Sequence, residues 1–186
     1  MRNRVLVIAA AALLLLPFAT ASAQDAVVVA QVRAEPSNVL SIQPFNAVLL
    51  NAFSGEYERR TGTALTFGIG GTYWKVPDTG DDDLTYTSGD VKLRYYPQGT
   101  ALQGFSFGGT VGFSQISETI GTDDTSESGP SFGILLEYQW LMGASRNFAV
   151  ALGIGAKAVV VDEDTIGSED FTARYPTARI SVGFAF

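Results

Sequence analysis

The sequence predicts an all-β fold, namely a closed antiparallel transmembrane β-barrel of about eight strands. Three observations predict it. Apolar and polar side chains alternate with a period of two in one segment after another, which is typical of strands with one apolar face. The chain begins like an exported protein yet has no cysteine with which to form disulfides. Short and long connections alternate between these segments, as in barrels that cross a membrane.

Residues 1–23 have the features of a secretory signal peptide. A basic start precedes an apolar run over 5–18, and Ala21-Ser22-Ala23 is a typical cleavage site. The alternative is a transmembrane helix, but this run is shorter than the ~20 apolar residues that a membrane span needs. We therefore expect cleavage after Ala23, a periplasmic segment over 24–37 and a barrel domain over 38–186.

Composition excludes several kinds of site. The chain has 19 acidic and 12 basic residues, and two of the bases, Arg2 and Arg4, fall in the predicted signal peptide. The absence of a basic stripe argues against nucleic acid as a partner. Because the chain has no Cys and no His, metal sites of the zinc type are not expected.

Seven segments alternate clearly, and each has about the length that crosses a bilayer when tilted. They cover residues 53–59, 65–73, 90–96, 105–114, 131–140, 148–158 and 178–186. A soluble sandwich or lipocalin-like barrel would also alternate, but its second face would carry enough charge for water. Here the second face is largely Gly, Ser, Thr and Ala, which suits a narrow lumen and favours the membrane barrel.

An eighth strand is needed so that both ends of the barrel domain lie on the periplasmic side. We place it at 38–49, with a tight turn near Leu50-Asn51, although Pro44 and an uneven apolar pattern spoil the alternation. A second possibility uses 26–33 as the first strand and a longer second strand over 42–59. Both arrangements give eight strands.

The connections fall into two classes. Three are long and acidic, and we interpret them as outer loops: 75–84, 117–129 and 161–170. Three are short and free of acidic residues, and we interpret them as periplasmic turns: 59–64, 97–103 and 143–147. Asp81-Asp82-Asp83 lacks an ordered spacing of calcium ligands, so the loops predict a solvated surface. We also expect divalent cations to bridge these loops to lipopolysaccharide phosphates.

Aromatic residues cluster where the strands reach the short turns, which is typical of a membrane-interface girdle. This set contains Tyr57, Tyr95, Phe105, Tyr138, Trp140, Phe148, Phe184 and Phe186. A sparser outer set could include Tyr73, Phe113, Phe132 and Tyr175.

The alternation places four acids and four bases in the lumen: Glu56, Glu58, Asp90, Glu137, Lys92, Arg94, Lys157 and Arg179. The interior of an eight-stranded barrel is only wide enough to be filled by side chains, so a stack of ion pairs is the leading interpretation. The expected partner of Glu137 is Lys157 or Arg94. The alternative interpretation is a narrow gated pore.

Three segments and the C-terminus resemble the small bacterial outer-membrane β-barrel families, similar in plan to OmpX and the OmpA transmembrane domain. They are Glu56-Tyr57-Glu58-Arg59, Arg94-Tyr95-Tyr96-Pro97 followed by Gly104-Phe105, and 176–186. The resemblance implies a location in the outer membrane, in contact with its lipid and lipopolysaccharide, and carries over no catalytic residue. The terminal Phe186 resembles the signal read by the barrel-assembly machinery, which is therefore an expected partner.

The residues favour a non-enzymatic protein. Outer-membrane barrel hydrolases and acyltransferases pair a Ser with a His, and a Ser without a base is a weak nucleophile. We assign no catalytic, cofactor-binding or metal-binding residue and expect no cofactor. The leading hypothesis is a structural or surface-interaction role through the acidic loops, and the alternative is a narrow channel for ions or small solutes.

Overall fold

A computed structural model of the protein describes residues 35–77, 83–120, 123–161 and 171–186. The predicted signal peptide and residues 24–34 lie outside this part of the chain. The elements in order are β1 (Asn38–Ile42), α1 (Pro44–Leu50), β2 (Ala52–Arg60), β3 (Leu65–Pro77), β4 (Asp83–Tyr95), β5 (Gly104–Ile120), β6 (Asp123–Met142), β7 (Phe148–Val161) and β8 (Phe171–Ala185).

The eight strands form one closed antiparallel barrel in which each strand pairs with the next and β1 pairs with β8. Closure between the first and last strands places Leu40 opposite Phe184. A closed barrel leaves no free edge where its strands pair, so it can satisfy its backbone within the membrane. The predicted fold class and strand number are confirmed.

Side chains alternate between the lumen and the outer surface. Ile134 and Ile154 are 72% and 64% exposed on the outside, whereas Ser131 and Glu137 on the lumen side of β6 are 0% and 2% exposed. A soluble protein rarely exposes a continuous apolar belt of this kind, whereas a membrane barrel requires one.

The predicted aromatic girdle lies on the outer surface at the end of the barrel that carries the short turns, which we call the inner end. Ring centroids are 5.3 Å apart in the pair Tyr95 and Phe107 and 6.2 Å apart in Phe184 and Phe186. The Tyr57 hydroxyl donates to Asn38 Oδ1 over 2.7 Å. The predicted girdle residues lie within a few residues of the inner ends of their strands, which supports an interfacial girdle.

The first strand is shorter than predicted. Strand pairing ends at Ile42, and residues 44–49, predicted as strand, belong to α1. Proline lacks an N–H and suits the first turn of a helix, which explains the change at Pro44. The helix ends at Leu50, and Asn51, which caps it, has a left-handed φ of 53°.

The other arrangement of the first two strands is not observed. Residues 26–33 lie outside the described part of the chain, and β2 begins at Ala52 rather than at residue 42. Among the described residues, no helix is both long and apolar enough to cross a membrane.

Much of what the sequence predicts as outer loop is strand. Residues 117–120 and 123–129 extend β5 and β6 as a paired hairpin that reaches Ile120 opposite Asp123. With 17 and 20 residues, these strands exceed the ~9–11 that cross a bilayer. Residues 162–170 lie outside the description. The hairpin therefore extends past the apolar belt at the end opposite the turns, which we call the outer end.

The predicted short turns are confirmed, since strands resume at Leu65, Gly104 and Phe148. The turn after β4 also closes the inner end of the lumen. Its Leu102 is fully buried in an apolar cluster, the inner plug, with Val39, Ala149 and Ala185. Gln139 Nε2 donates to the Leu102 carbonyl over 2.8 Å and holds the turn in place.

Candidate functional site

The candidate site is the barrel lumen, and all eight charged residues predicted to face it do so. Glu56 and Glu58 are each 3% exposed and Arg94 is 1% exposed, so the lumen is filled at their level. Alternation alone sufficed for this prediction because a strand turns successive side chains to opposite faces.

Arg94 lies at the centre of the charged residues and contacts three carboxylates. Its Nη2 is 2.6 Å from Glu56 Oε1, and its Nη1 is 3.3 Å from Glu58 Oε1. Its Nε is 3.5 Å from Glu137 Oε1. A planar guanidinium with five N–H donors can serve several carboxylates at once, whereas a lysine ammonium has only three.

Arg179 contacts two of the same carboxylates from β8. Its Nη1 is 2.6 Å from Glu56 Oε2, and its Nε is 3.2 Å from Glu137 Oε2. Lys92 also donates to Glu56 Oε2. We call these six residues the inner cluster: Glu56, Glu58, Glu137, Lys92, Arg94 and Arg179. Its three negative and three positive charges balance, which is what burial of ions requires.

The structure decides between the two partners expected for Glu137. Arg94 is confirmed, and Lys157 is wrong, because Lys157 Nζ lies 2.8 Å from Asp90 Oδ1 instead. The register explains the difference. Glu137 pairs with Gly153, whereas Lys157 lies opposite Gly133, closer to the outer end.

Glu58 completes its contacts through hydroxyl groups. Thr66 Oγ1 donates to Glu58 Oε1 over 2.5 Å, and the Tyr96 hydroxyl donates to the same oxygen over 3.0 Å. A buried carboxylate is stabilised when several donors replace the water that it has lost. The inner cluster is thus a polar core that takes the place of a hydrophobic one.

A second group of lumen residues lies nearer the outer end. The Tyr86 hydroxyl is 3.1 Å from the Tyr175 hydroxyl and accepts from Lys157 Nζ over 3.3 Å. The prediction of Tyr175 in the outer aromatic girdle is therefore wrong. Tyr175 shares its parity with Arg179, so the alternation of β8 read four residues further back could have placed it in the lumen.

Glycines make room for the large lumen side chains. A Cβ at Gly153 would lie 3.3 Å from Glu137 Oε2, and one at Gly70 would lie 3.3 Å from Lys92 Nζ. At Gly112 a Cβ would overlap the Asp90 carboxylate and a strand carbonyl. The glycines on the lumen face of the strands therefore leave the space that the large charged side chains occupy.

An ion pair at the inner end joins the segment before β1 to the barrel. Glu35 Oε2 accepts from Arg60 Nη1 over 2.8 Å, and Glu35 Oε1 is 3.8 Å from Arg146 Nη1. The hydrogen bond and the charge of Arg60 lower the pKa of Glu35 below its usual value. Since both partners are partly exposed to solvent, this pair adds little to stability.

A cavity of about 330 Å³ lies above the inner cluster, toward the outer end. Its lining includes Trp74, Tyr86 and Lys157. The chain has no histidine to activate a serine, so the lumen offers no nucleophile paired with an imidazole base. Among the described residues, no group of three or more acidic side chains could hold a metal ion.

Two solved structures have the same fold, and a third is similar at a lower TM-score. The crystal structure of Neisserial surface protein A has a TM-score of 0.53 and 12% identity, covering 82% of this chain and 95% of that one. Ail, the attachment invasion locus protein of Yersinia pestis, has a TM-score of 0.52 and 12% identity, covering 82% and 100%. The N-terminal β-barrel domain of Pseudomonas aeruginosa OprF has a TM-score of 0.47 and 14% identity, covering 82% and 98%.

A scan against protein-family models gave no match, and a search of curated proteins gave none either. The resemblance to small outer-membrane barrels is confirmed at the level of the fold.

Proposed function

We propose that this protein resides in the bacterial outer membrane after export and signal-peptide cleavage, and that it acts without catalysis, through the acidic loops at its outer end, including the β5–β6 hairpin. The observation that carries the proposal is a closed barrel whose outside is an apolar belt and whose lumen is filled toward its inner end by paired charges. Such a molecule offers its surroundings only its lipid-facing surface and its two ends. A role in membrane integrity or in surface contact follows from this arrangement.

The outer end supports the proposal because it is the more extended of the two. The β5–β6 hairpin continues past the apolar belt with exposed polar residues, among them Ser126, Glu127 and Ser128. We further propose that divalent cations bridge its acidic groups and those of neighbouring loops to lipopolysaccharide phosphates. Oxygen ligands of this kind suit hard cations.

A narrow channel is the rival function, and the lumen argues against it. The inner plug closes the inner end, and the inner cluster fills the lumen behind it. Single-channel conductance in a planar bilayer separates the two functions. We expect no discrete openings from the purified protein, and regular unitary steps would contradict the proposal.

The role of the hairpin can be tested by shortening it. Ser114 lies opposite Gly129, so residues 115–128 can be replaced by an Asn-Gly turn without disturbing the paired register below. Cells that produce this variant should assemble it normally, yet should resemble cells lacking the protein. The readouts are uptake of a hydrophobic dye, which reports on membrane integrity, and adhesion to cultured host cells, which reports on surface contact. Wild-type behaviour of the shortened variant in both assays would contradict a hairpin-based role.

A further inference from the structure

The cavity in the outer half of the lumen is a blind pocket rather than part of a pore. Its volume of about 330 Å³ falls at the small end of the ~300–1,000 Å³ range of ligand pockets. Lys92 and Arg179 of the inner cluster lie in its floor, and Leu50 of α1 and Trp74 of β3 lie in its lining. The Trp74 indole donates to the Leu50 carbonyl over 2.6 Å and joins the helix to the strand.

The charged groups that line the pocket are mostly cationic. Lys92, Lys157 and Arg179 are among the lining residues, against the single carboxylate of Asp90. The carboxylates that balance Lys92 and Arg179 lie deeper, since the side chain of Lys92 is 14% exposed and that of Glu56 is 2% exposed. Lys157 and its partner Asp90 are each 11% exposed. The charged lumen residues balance overall, but three cations and one carboxylate face the pocket. This excess of positive charge favours binding of an anion.

Asp90 is the one group that opposes an anion, and its Oδ1 is already engaged. Lys157 Nζ lies 2.8 Å from it, and Ser131 Oγ donates to it over 3.4 Å. The Tyr86 hydroxyl accepts from the same lysine, and the Tyr175 hydroxyl 3.1 Å beyond it can donate to an anion oxygen when Tyr86 donates to Ser114. Trp74, which pairs with Tyr86, and Leu135, which lies nearer the inner cluster, supply apolar surface.

From these observations we propose that the pocket binds a small organic anion, with its acidic group toward Lys157 and Lys92 and its apolar body against Trp74. A carboxylate, sulfonate or phosphate monoester on an aromatic or short aliphatic body fits this description. The anion could enter from the external solvent, or it could be the head group of a membrane amphiphile. Both sources share the same chemistry at the pocket.

The two tryptophans of the chain provide the measurement. Trp74 lies in the pocket, and Trp140 lies on the outer surface beside Tyr138, with ring centroids 4.5 Å apart. In a Trp140→Phe background, Trp74 alone reports on the pocket. The probe is 4-bromobenzoate, a heavy-atom quencher, added to purified protein in zwitterionic detergent. Its uncharged analogue 4-bromobenzamide is the control ligand, and a brominated hexadecanoate tests the membrane source.

We expect saturable quenching of Trp74 by at least one of the two bromocarboxylates and little quenching by the amide. Binding of the benzoate alone would assign the anion to the solvent, and binding of the hexadecanoate alone would assign it to the membrane. The double variant Asp90→Asn/Lys157→Met removes the pair without stranding either charge, and it should weaken binding at least tenfold. Tyr175→Phe, which leaves every charge in place, should weaken binding several-fold.

Arg174→Gln is the matched control, because it removes an exposed cation from β8 on the face opposite Tyr175 and should leave affinity unchanged. Equal quenching by the acid and the amide, or no saturable quenching by either carboxylate, would overturn the proposal. Unchanged affinity in the folded double variant would overturn it as well. None of these results bears on the hairpin-based function, whose assays use a different part of the molecule.

Discussion

At the scale of single residues, stability of the interior depends on charge balance. Two carboxylates of the inner cluster are shared between cations: Glu56 contacts Lys92, Arg94 and Arg179, and Glu137 contacts Arg94 and Arg179. A buried pair adds little net stability relative to apolar packing, whereas the loss of one partner strands an uncompensated charge. The members of the cluster should therefore tolerate joint replacement better than single replacement.

Glu137→Ala tests this dependence. The substitution removes a carboxylate from both Arg94 and Arg179 in a region that water does not reach, and it should destabilise the barrel by about 3–5 kcal/mol. Urea unfolding in lipid vesicles measures the change. Glu127→Ala on the exposed hairpin is the control and should stay within about 0.5 kcal/mol of wild type. Equal unfolding midpoints for Glu137→Ala and wild type would remove this side chain from the network.

Gly112→Ala tests the space that glycines provide. The new Cβ would overlap the Gly89 carbonyl and the Asp90 carboxylate, so we expect destabilisation of about 1–3 kcal/mol. Gly89→Ala is a matched control, since a Cβ there meets no atom within 4 Å. The same unfolding assay compares them, and equal effects of the two substitutions would show that the lumen can relax around the added methyl group.

At the scale of elements, the closing strands depend on the last residue. The Phe186 carbonyl accepts from the backbone N–H groups of Ser37 and Asn38 over 3.0 and 2.9 Å. The Phe186 ring is 54% exposed on the outer surface. Backbone and side chain of this residue thus have separate roles, since the backbone fastens β1 and the ring faces the lipid interface.

Phe186→Ala separates these roles because it keeps the backbone. By resemblance to other outer-membrane barrels, we expect assembly in the outer membrane to fall sharply. The purified variant should still refold in detergent, with a stability within about 0.5 kcal/mol of wild type. Quantitative immunoblots of outer-membrane fractions measure assembly. Phe184→Ala, which removes the neighbouring ring, should assemble normally, and normal assembly of Phe186→Ala would contradict the proposed signal.

At the scale of the whole molecule, the barrel resists unfolding because its backbone is paired within itself and its outer belt lies in lipid or detergent. A closed barrel of this kind unfolds as one unit. Closure rests on few residues, since β1 pairs with β8 only over 39–42.

Gel mobility therefore reports on closure. Unboiled protein in cold detergent should migrate as a compact species, and boiled protein should migrate differently. A variant lacking residues 38–42 should lose the compact species, because β8 would then have no strand to close against. Identical mobility of wild-type protein with and without boiling would argue against a stable closed barrel.

Much of this architecture follows from the sequence alone. The period-two pattern suffices for every strand but the first, for the apolar belt and for the eight charged lumen residues, because the side-chain direction of a strand alternates without regard to its neighbours. The first strand follows from the even number of strands that such barrels have. Where that pattern is weak the sequence misleads, as at 44–49, where Pro44 begins a helix. The sequence likewise predicts a loop at the polar outer ends of β5 and β6, where the structure has paired strands. Strand pairing beyond the membrane needs no apolar face, so the alternation that marks a strand is absent there.

Only the tertiary structure decided which charges meet. The register of β6, β7 and β8 brings Glu137 and Arg179 together. The same register places Lys157 beside Asp90 instead of its expected partner Glu137. The inner plug and the pocket also depend on side chains that converge from strands far apart in sequence. Alternation fixes the face on which a side chain lies but not its height in the barrel, and contacts in a lumen require both.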